Sequence, residues 1–429
     1  MYLEMSLVLI SASAFLGHLF GRKASLPFLI LSVPLLLESE TTRISHFFFD
    51  EYSKLLSVLV VSVTILVSIT TEERERSAQT LLSISALGII LALSSKDFLS
   101  LFVSWEIASV TTYAMVAVGR GREELEAGMK YFLFGVTSSG VMLFGISIIY
   151  GENGTLSIIN SGFGIGQALF LAGILFKIGA FPFHVWIPDV YQGARSWTTS
   201  FLAGASKVMG FGVLVRSSYL MGLNGMDLFF LLSILTMFYG NLAALLQKDI
   251  KRLLAYSSIG HAGYLLIPLS VWNPRALTGA LMHIVMHSLL KVGAFSTVLI
   301  HEKELGRGIK DYKGMDKYSK LSLTIILLGL AGVPLVGGGG FWSKYVLFMG
   351  ALASGTRGLA LALGGILTSA ISLYYYARVI REIYSTPGSE EVPGKVLVPL
   401  TITVTVLLLG LYPTPLIEIC QKVSTTLFP

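Results

Sequence analysis

The run Leu281-Met282-His283-Ile284-Val285-Met286-His287-Ser288-Leu289-Leu290-Lys291 sets two histidines and a lysine four residues apart. On a helix that spacing puts all three on one face. Three chemistries use such a face. Histidines at i and i+4 are suitable metal ligands, but no further acid or thiol lies near them on the same segment, and a haem would need histidines from two facing helices. Proton transfer needs groups that change charge near neutral pH, and imidazole and a desolvated amine are such groups.

Further ionisable residues stand in equally apolar surroundings. Glu106 lies in Val103-Ser104-Trp105-Glu106-Ile107, Lys177 in Leu175-Phe176-Lys177-Ile178-Gly179, Lys207 after Ser206, and Lys344 in Phe341-Trp342-Ser343-Lys344. A charge at mid-bilayer costs about 2.5 to 3.5 kcal/mol on the lenient insertion scale, so a set of this size needs a use or a partner. Glu106 is either a helix-packing carboxyl bonded to a nearby Ser or Thr, or the counter-charge of the lysines. A lysine that only snorkels belongs near a segment end. Lys177 is central, whereas Lys207 lies in the first half of its segment and Arg216 reads as an interfacial anchor. His184 and Asp189 flank Pro188 and read as braces of a corner; His261 reads as lining a hydrated opening or as packing.

The elements that position these residues follow from composition. In 429 residues, 54% are hydrophobic and 13% charged, against about 25% charged in soluble domains, and mean hydropathy is +0.74. These values describe a polytopic, all-α membrane protein. Apolar runs predict about fourteen spans, near 5–20, 25–37, 54–70, 79–94, 97–118, 130–150, 166–187, 198–222, 226–246, 253–270, 276–300, 320–350, 357–383 and 395–412. The first run has no basic start and no small-residue cleavage site, and reads as a retained span. The single cysteine, Cys420, excludes a disulfide framework, a cysteine-ligated cluster and a cysteine zinc site.

Sorting the 31 Lys and Arg orients the chain. Twenty fall in loops after odd-numbered spans, including Arg74, Arg120 and the stretch Lys303 to Lys320, and five in loops after even-numbered ones. The positive-inside rule then predicts a cytoplasmic-membrane protein with both termini outside. The net charge of +6 is explained without a nucleic-acid partner. Two spans are interrupted: the seventh by Pro182, the twelfth by Pro334 and Gly337 to Gly340. Their offset of five spans predicts inverted repeats of spans four to eight and nine to thirteen, with broken helices lining a polar interior. The expected organisation is three N-terminal spans (1–78), a first five-helix repeat (79–222), a second, inverted repeat (223–384), and a last span with tail (385–429).

These residues resemble the large antiporter-like subunits of respiratory complex I, related hydrogenases and Mrp-type antiporters. The carriers are Trp105-Glu106, Phe176-Lys177-Ile178-Gly179-Ala180-Phe181-Pro182-Phe183-His184, Trp186-Ile187-Pro188-Asp189, Ser206-Lys207-Val208, His283 to Lys291 and Lys344. Within that superfamily the N subunit of NADH–quinone oxidoreductase is resembled most, through Gln247-Lys248-Asp249-Ile250-Lys251-Arg252-Leu253, Tyr256-Ser257-Ser258-Ile259 and Ser372-Leu373-Tyr374-Tyr375-Tyr376. Lys344 fits the N type, since the M type has glutamate at that place. Arg195-Ser196-Trp197-Thr198 departs from the family's prolines.

The resemblance implies a proton-translocating subunit of a redox-driven pump with no cofactor of its own, flavin and iron–sulfur clusters being expected on partner subunits. Its partners would be other membrane subunits, homologous antiporter-like ones among them. It also implies a route: Lys177 is loaded from the cytoplasm and gives up its proton when its ion pair with Glu106 separates. Lys207, His283, His287 and Lys291 carry the proton on, and Lys344 releases it outside. A subunit of a sodium/proton antiporter module is the alternative reading.

Overall fold

The structure, a computed structural model, describes residues 1–73, 75–119, 121–160, 162–223, 227–388 and 395–427, and of Lys303 the backbone alone. Arg74, Arg120 and the side chain of Lys303, counted above in basic loops, lie outside the described residues. Contacts divide the chain into two units, Met1–Ile178 with Gly193–Leu223, and Gly179–Gln192 with Asn224–Pro429.

The first unit holds α1 (Tyr2–Phe20), α2 (Arg22–Glu38), α3 (Glu51–Thr70), α4 (Arg76–Ser94), α5 (Phe98–Ala117), α6 (Arg122–Asn153) and α7 (Ile165–Ile178). A short antiparallel hairpin, β1 (Thr42–Ile44) with β2 (Phe47–Phe49), joins α2 to α3. It was not expected from the sequence. Asp50 and Asp97 start α3 and α5 by accepting from the amides of Ser53 and Ser100, as good N-cap residues do. Small polar residues let α1, α2 and α4 approach closely: Ser13 Oγ lies 2.8 Å from Ser25 Oγ and 3.0 Å from Ser83 Oγ.

The eighth predicted span is not a regular helix. In the structure's own order, α8 (Trp186–Gly193) lies almost wholly in the second unit, and the first unit continues with α9 (Ser196–Phe201), a π-helical segment over Leu202–Ser206 and α10 (Lys207–Leu220). Such π turns widen a helix by one residue and tend to mark functional positions. This one ends directly before Lys207.

The second unit carries α8 together with α11 (Asp227–Leu245), α12 (Ile250–Val271), α13 (Pro274–Leu305), α14 (Lys317–Ala331), α15 (Gly339–Leu352), α16 (Gly355–Ile383), α17 (Leu397–Leu411) and α18 (Thr414–Thr426). α18 occupies what the sequence left as a tail; it meets α17 at 81°. Glycines set the closest approaches. A Cβ on Gly240 of α11 would sit 2.2 Å from the amide nitrogen of Gly260 on α12, and one on Gly279 of α13 the same distance from that of Leu347 on α15.

Both expected interruptions are present, each displaced from the residues that predicted it. α7 stops at Ile178, before Gly179 with φ 74, three residues ahead of Pro182. α14 stops at Gly332, whose φ of 79 closes the helix C-terminus. Gly339 and Gly340, expected in the break, instead form the first turn of α15. They lie where their lack of a side chain admits close neighbours: a Cβ on Gly340 would sit 2.2 Å from the carbonyl oxygen of Gly329.

Helices occupy each of the fourteen predicted segments. Among the described residues, nine are long and apolar enough to cross a bilayer unaided, or ten with α17 and α18 taken as one broken span.

Candidate functional site

The first unit gathers its polar residues around Lys177, which is 3% exposed. Glu106, Ser109, Thr112 and Tyr113 recur at three- and four-residue intervals along α5, so one face of that helix is polar. α6 contributes Tyr131 and Ser139. Lys177 Nζ donates to Tyr131 Oη at 3.0 Å, Ser109 Oγ at 3.2 Å and Thr112 Oγ1 at 3.4 Å, which uses all three ammonium hydrogens. The rings of Tyr113 and Tyr131 stand 5.5 and 5.3 Å from the same nitrogen, close enough for cation–π attraction.

Glu106 Oε1 accepts from Ser139 Oγ at 2.5 Å. The expected ion pair with Lys177 is not formed directly in this structure: hydroxyls surround the ammonium, and the carboxylate is held by the serine of α6. The helix-packing bond foreseen for Glu106 is therefore present. A charge-assisted bond of this length is a strong one.

Lys207, 2% exposed, stands at the junction of the π segment and α10. Arg216, on the same helix, pairs with Asp50, donates to the carbonyl of Leu93 at 2.8 Å and lies 5.1 Å from the Tyr52 ring. Arg216, expected as an interfacial anchor, is thus buried at 7% exposure and tied to groups within its own unit. At the departure from the family's prolines, Arg195 pairs with Glu75 and lies 3.7 Å from Glu124.

In the second unit the histidine run of α13 faces α12. His283 Nε2 lies 2.9 Å from His261 Nδ1, and His283 Nδ1 lies 3.0 Å from Ser343 Oγ on α15. His287 Nε2 lies 3.2 Å from Ser258 Oγ, and its ring centroid is 5.1 Å from that of His261. Lys291, 0% exposed, donates to the carbonyl of Leu254 at 2.8 Å and to the hydroxyl of Ser257. His261, His283 and Ser343 form a hydrogen-bonded chain, with the His287–Ser258 pair beside it; imidazole and hydroxyl are groups that can exchange N–H and O–H protons. His261, which the sequence left between an opening and simple packing, is 3% exposed and a member of this chain. Its signal was the offset of three from Ser258, the partner of His287.

Lys344, 4% exposed, continues the series on α15. Its Nζ turns back across the break to the carbonyls of Leu330 and Ala331, at 2.9 and 3.0 Å, and to Ser369 Oγ at 3.0 Å. Those carbonyls end α14, where the helix dipole is negative. The Tyr264 ring lies 5.1 Å away. His184 and Asp189 separate: His184 packs on Phe181 and Tyr239, with ring centroids 5.4 and 4.2 Å away, whereas Asp189 accepts from Arg252 Nη1 at 2.8 Å.

Residues 95–372 match the family model described as NADH:quinone oxidoreductase/Mrp antiporter, TM. The chain is 34% identical to F420H2 dehydrogenase subunit N of Methanosarcina mazei, over 93% of this chain and 87% of that protein. It is 35% identical to NADH-quinone oxidoreductase subunit N 1 of Rhizobium meliloti, over 79% and 76%. A chain of respiratory complex I from Thermus thermophilus, solved with bound aureothin, superposes with a TM-score of 0.86 at 28% identity, over 96% of this chain and 99% of that one. With a family model spanning well over half its length and relatives above 30% identity along most of it, the chain belongs to the NADH:quinone oxidoreductase/Mrp antiporter membrane family.

Proposed function

We propose that this chain is a proton-translocating membrane subunit, without redox cofactors of its own, of a redox-driven pump of the NADH:quinone oxidoreductase type. The observation that carries the reading is the buried set Lys177, Lys207, Lys291 and Lys344, each at most 4% exposed within the spans. Three of them have hydroxyls or backbone carbonyls around the ammonium, with Glu106 as the acid near the first. Flavin and iron–sulfur clusters then belong to partner subunits, and homologous antiporter-like chains are among its neighbours in the membrane.

The finer architecture belongs to the same proposal: fourteen crossings, inverted repeats over spans four to eight and nine to thirteen, divisions at 1–78, 79–222, 223–384 and 385–429, and both termini outside. The residues take the roles the family resemblance gives them. Lys177 loads from the cytoplasm, Lys207, His283, His287 and Lys291 relay, and Lys344 releases outward. Glu106 acts on Lys177 through the hydroxyl shell described above. At an effective dielectric near 20, a charge about 4 Å away is worth roughly 4 kcal/mol and proportionally less at longer range, so rotating the Ser139-held carboxylate toward or away from the lysine is a sufficient switch.

Inside-out vesicles holding the whole complex, given NADH or reduced coenzyme F420 as donor, test the reading. Lys177→Ala should abolish redox-driven proton uptake and Glu106→Gln impair it strongly, with the complex still assembled. Uptake at the wild-type proton-to-electron ratio in an assembled Lys177→Ala complex would refute it. Uptake that requires sodium and proceeds without electron donor would favour the antiporter-module alternative.

A further inference from the structure

The second unit carries a buried ion pair that the relay above does not use. Lys251, the second residue of α12, has 0% of its side chain exposed, and its Nζ lies 3.3 Å from Glu302 Oε2 near the end of α13, which is 15% exposed. Glu302, Arg307 and Asp249 all face the lysine electrostatically, and the buried Tyr312 faces Glu302 and Asp249 in turn. As a tether such a pair is a poor device, because desolvating two charges offsets most of their attraction.

Its position gives it another use. Leu254 and Ser257, the two acceptors of Lys291, follow Lys251 at intervals of three along α12. Each interval is about 4.5 Å of helix rise. Each interval also turns about 60° around the helix, so Lys251 and the two groups that hold Lys291 follow one another on adjoining faces of α12, with the carboxylate at the more exposed end and the ammonium inside.

We propose that Glu302 and Lys251 form a proton inlet of the second unit that delivers to Lys291. The proposal rests on the proton-translocating reading of the chain. When Lys291 has passed its proton on and stands as the amine, the Lys251 ammonium releases one toward it by way of Ser257, whose hydroxyl hands on a proton as it accepts another. The Glu302 carboxylate, no longer facing an ammonium, takes a proton from water and passes it to the Lys251 amine, which restores the ion pair. Only N–H and O–H bonds break and form, and the net change is one proton moved from water to Lys291.

Lys251→Arg is the decisive variant. A guanidinium keeps the ion pair with Glu302 yet cannot be deprotonated in a protein, so a pair that only tethers α12 to α13 would survive the change. In the vesicles described above, the inlet predicts that Lys251→Arg assembles normally and at least halves the proton-to-electron ratio. Glu302→Gln should do the same, while Glu302→Asp restores most of the ratio. A wild-type ratio in assembled Lys251→Arg overturns the inlet. Lys177→Ala in the same preparation separates the two ideas: loss of pumping there with full pumping in Lys251→Arg removes the inlet alone, whereas full pumping in both removes the translocation reading itself.

Discussion

Lys177 and Lys344 hold an ammonium within a membrane span by different means. The first has three hydroxyl acceptors and two tyrosine rings; the second has two carbonyls at a helix end and one serine. Neither relies on a carboxylate bonded to it, so each charge is adjustable by moving neutral dipoles. Tyr131→Phe removes the closest hydroxyl from Lys177. A hydrogen bond to a charged group contributes about 1.5 to 3 kcal/mol, which corresponds to a slowing of the initial proton-uptake rate by roughly one to two orders of magnitude. An unchanged rate in fluorescence-quench assays on assembled complex would mean that the hydroxyl shell does not govern Lys177. The sequence displayed the ionisable residues, because charge in an apolar run stands out. It concealed Tyr131, Ser139 and Ser369, since hydroxyls are common in membrane helices and only the rotation of α6 and α16 against their neighbours selects the ones that matter.

At the scale of elements, the two breaks were legible from proline and glycine, but their limits were not. The helix ends where a left-handed residue closes it, at Gly179 and Gly332, and the glycines beyond Gly338 return to helix because close packing, and not backbone freedom, is their use. Gly338 is different. Its φ is 53, and a Cβ there would stand 2.3 Å from the carbonyl oxygen of Val406 on α17. With ψ −133 this positive-φ conformation lies outside even the left-handed helical region and costs a non-glycine residue on the order of 1 to 3 kcal/mol, and backbone offers little room to yield. Gly338→Ala should therefore lower the amount of subunit retained in the complex on native gels. Gly339→Ala, whose Cβ would meet the flexible end of Met286, should be retained better. Equal retention would show that the break does not depend on that approach. The hairpin over Thr42–Ile44 and Phe47–Phe49 and helix α18 went unread because short amphipathic elements beside long apolar runs carry little periodicity.

For the whole molecule, charge counting supplied the class and an expected orientation, while the division of the chain into units lies in contacts that no local pattern reveals. α8 shows this most clearly, since it follows α7 in sequence yet belongs almost entirely to the other unit. Orientation is testable because Cys420 is the one cysteine of the chain and is buried. A Lys310→Cys variant should react with a membrane-impermeant maleimide only from the cytoplasmic side, and Glu4→Cys only from outside; the reverse pattern would invert the topology. The central claim, that buried lysines carry protons for a redox-driven pump, is tested most directly by the proton-to-electron ratio of the intact complex in vesicles with Lys177→Ala and Lys344→Ala. Assembled complexes that still pass electrons, with proton uptake abolished in Lys177→Ala and the ratio lowered in Lys344→Ala, are the predicted result. An assembled Lys177→Ala complex with the wild-type ratio would contradict it.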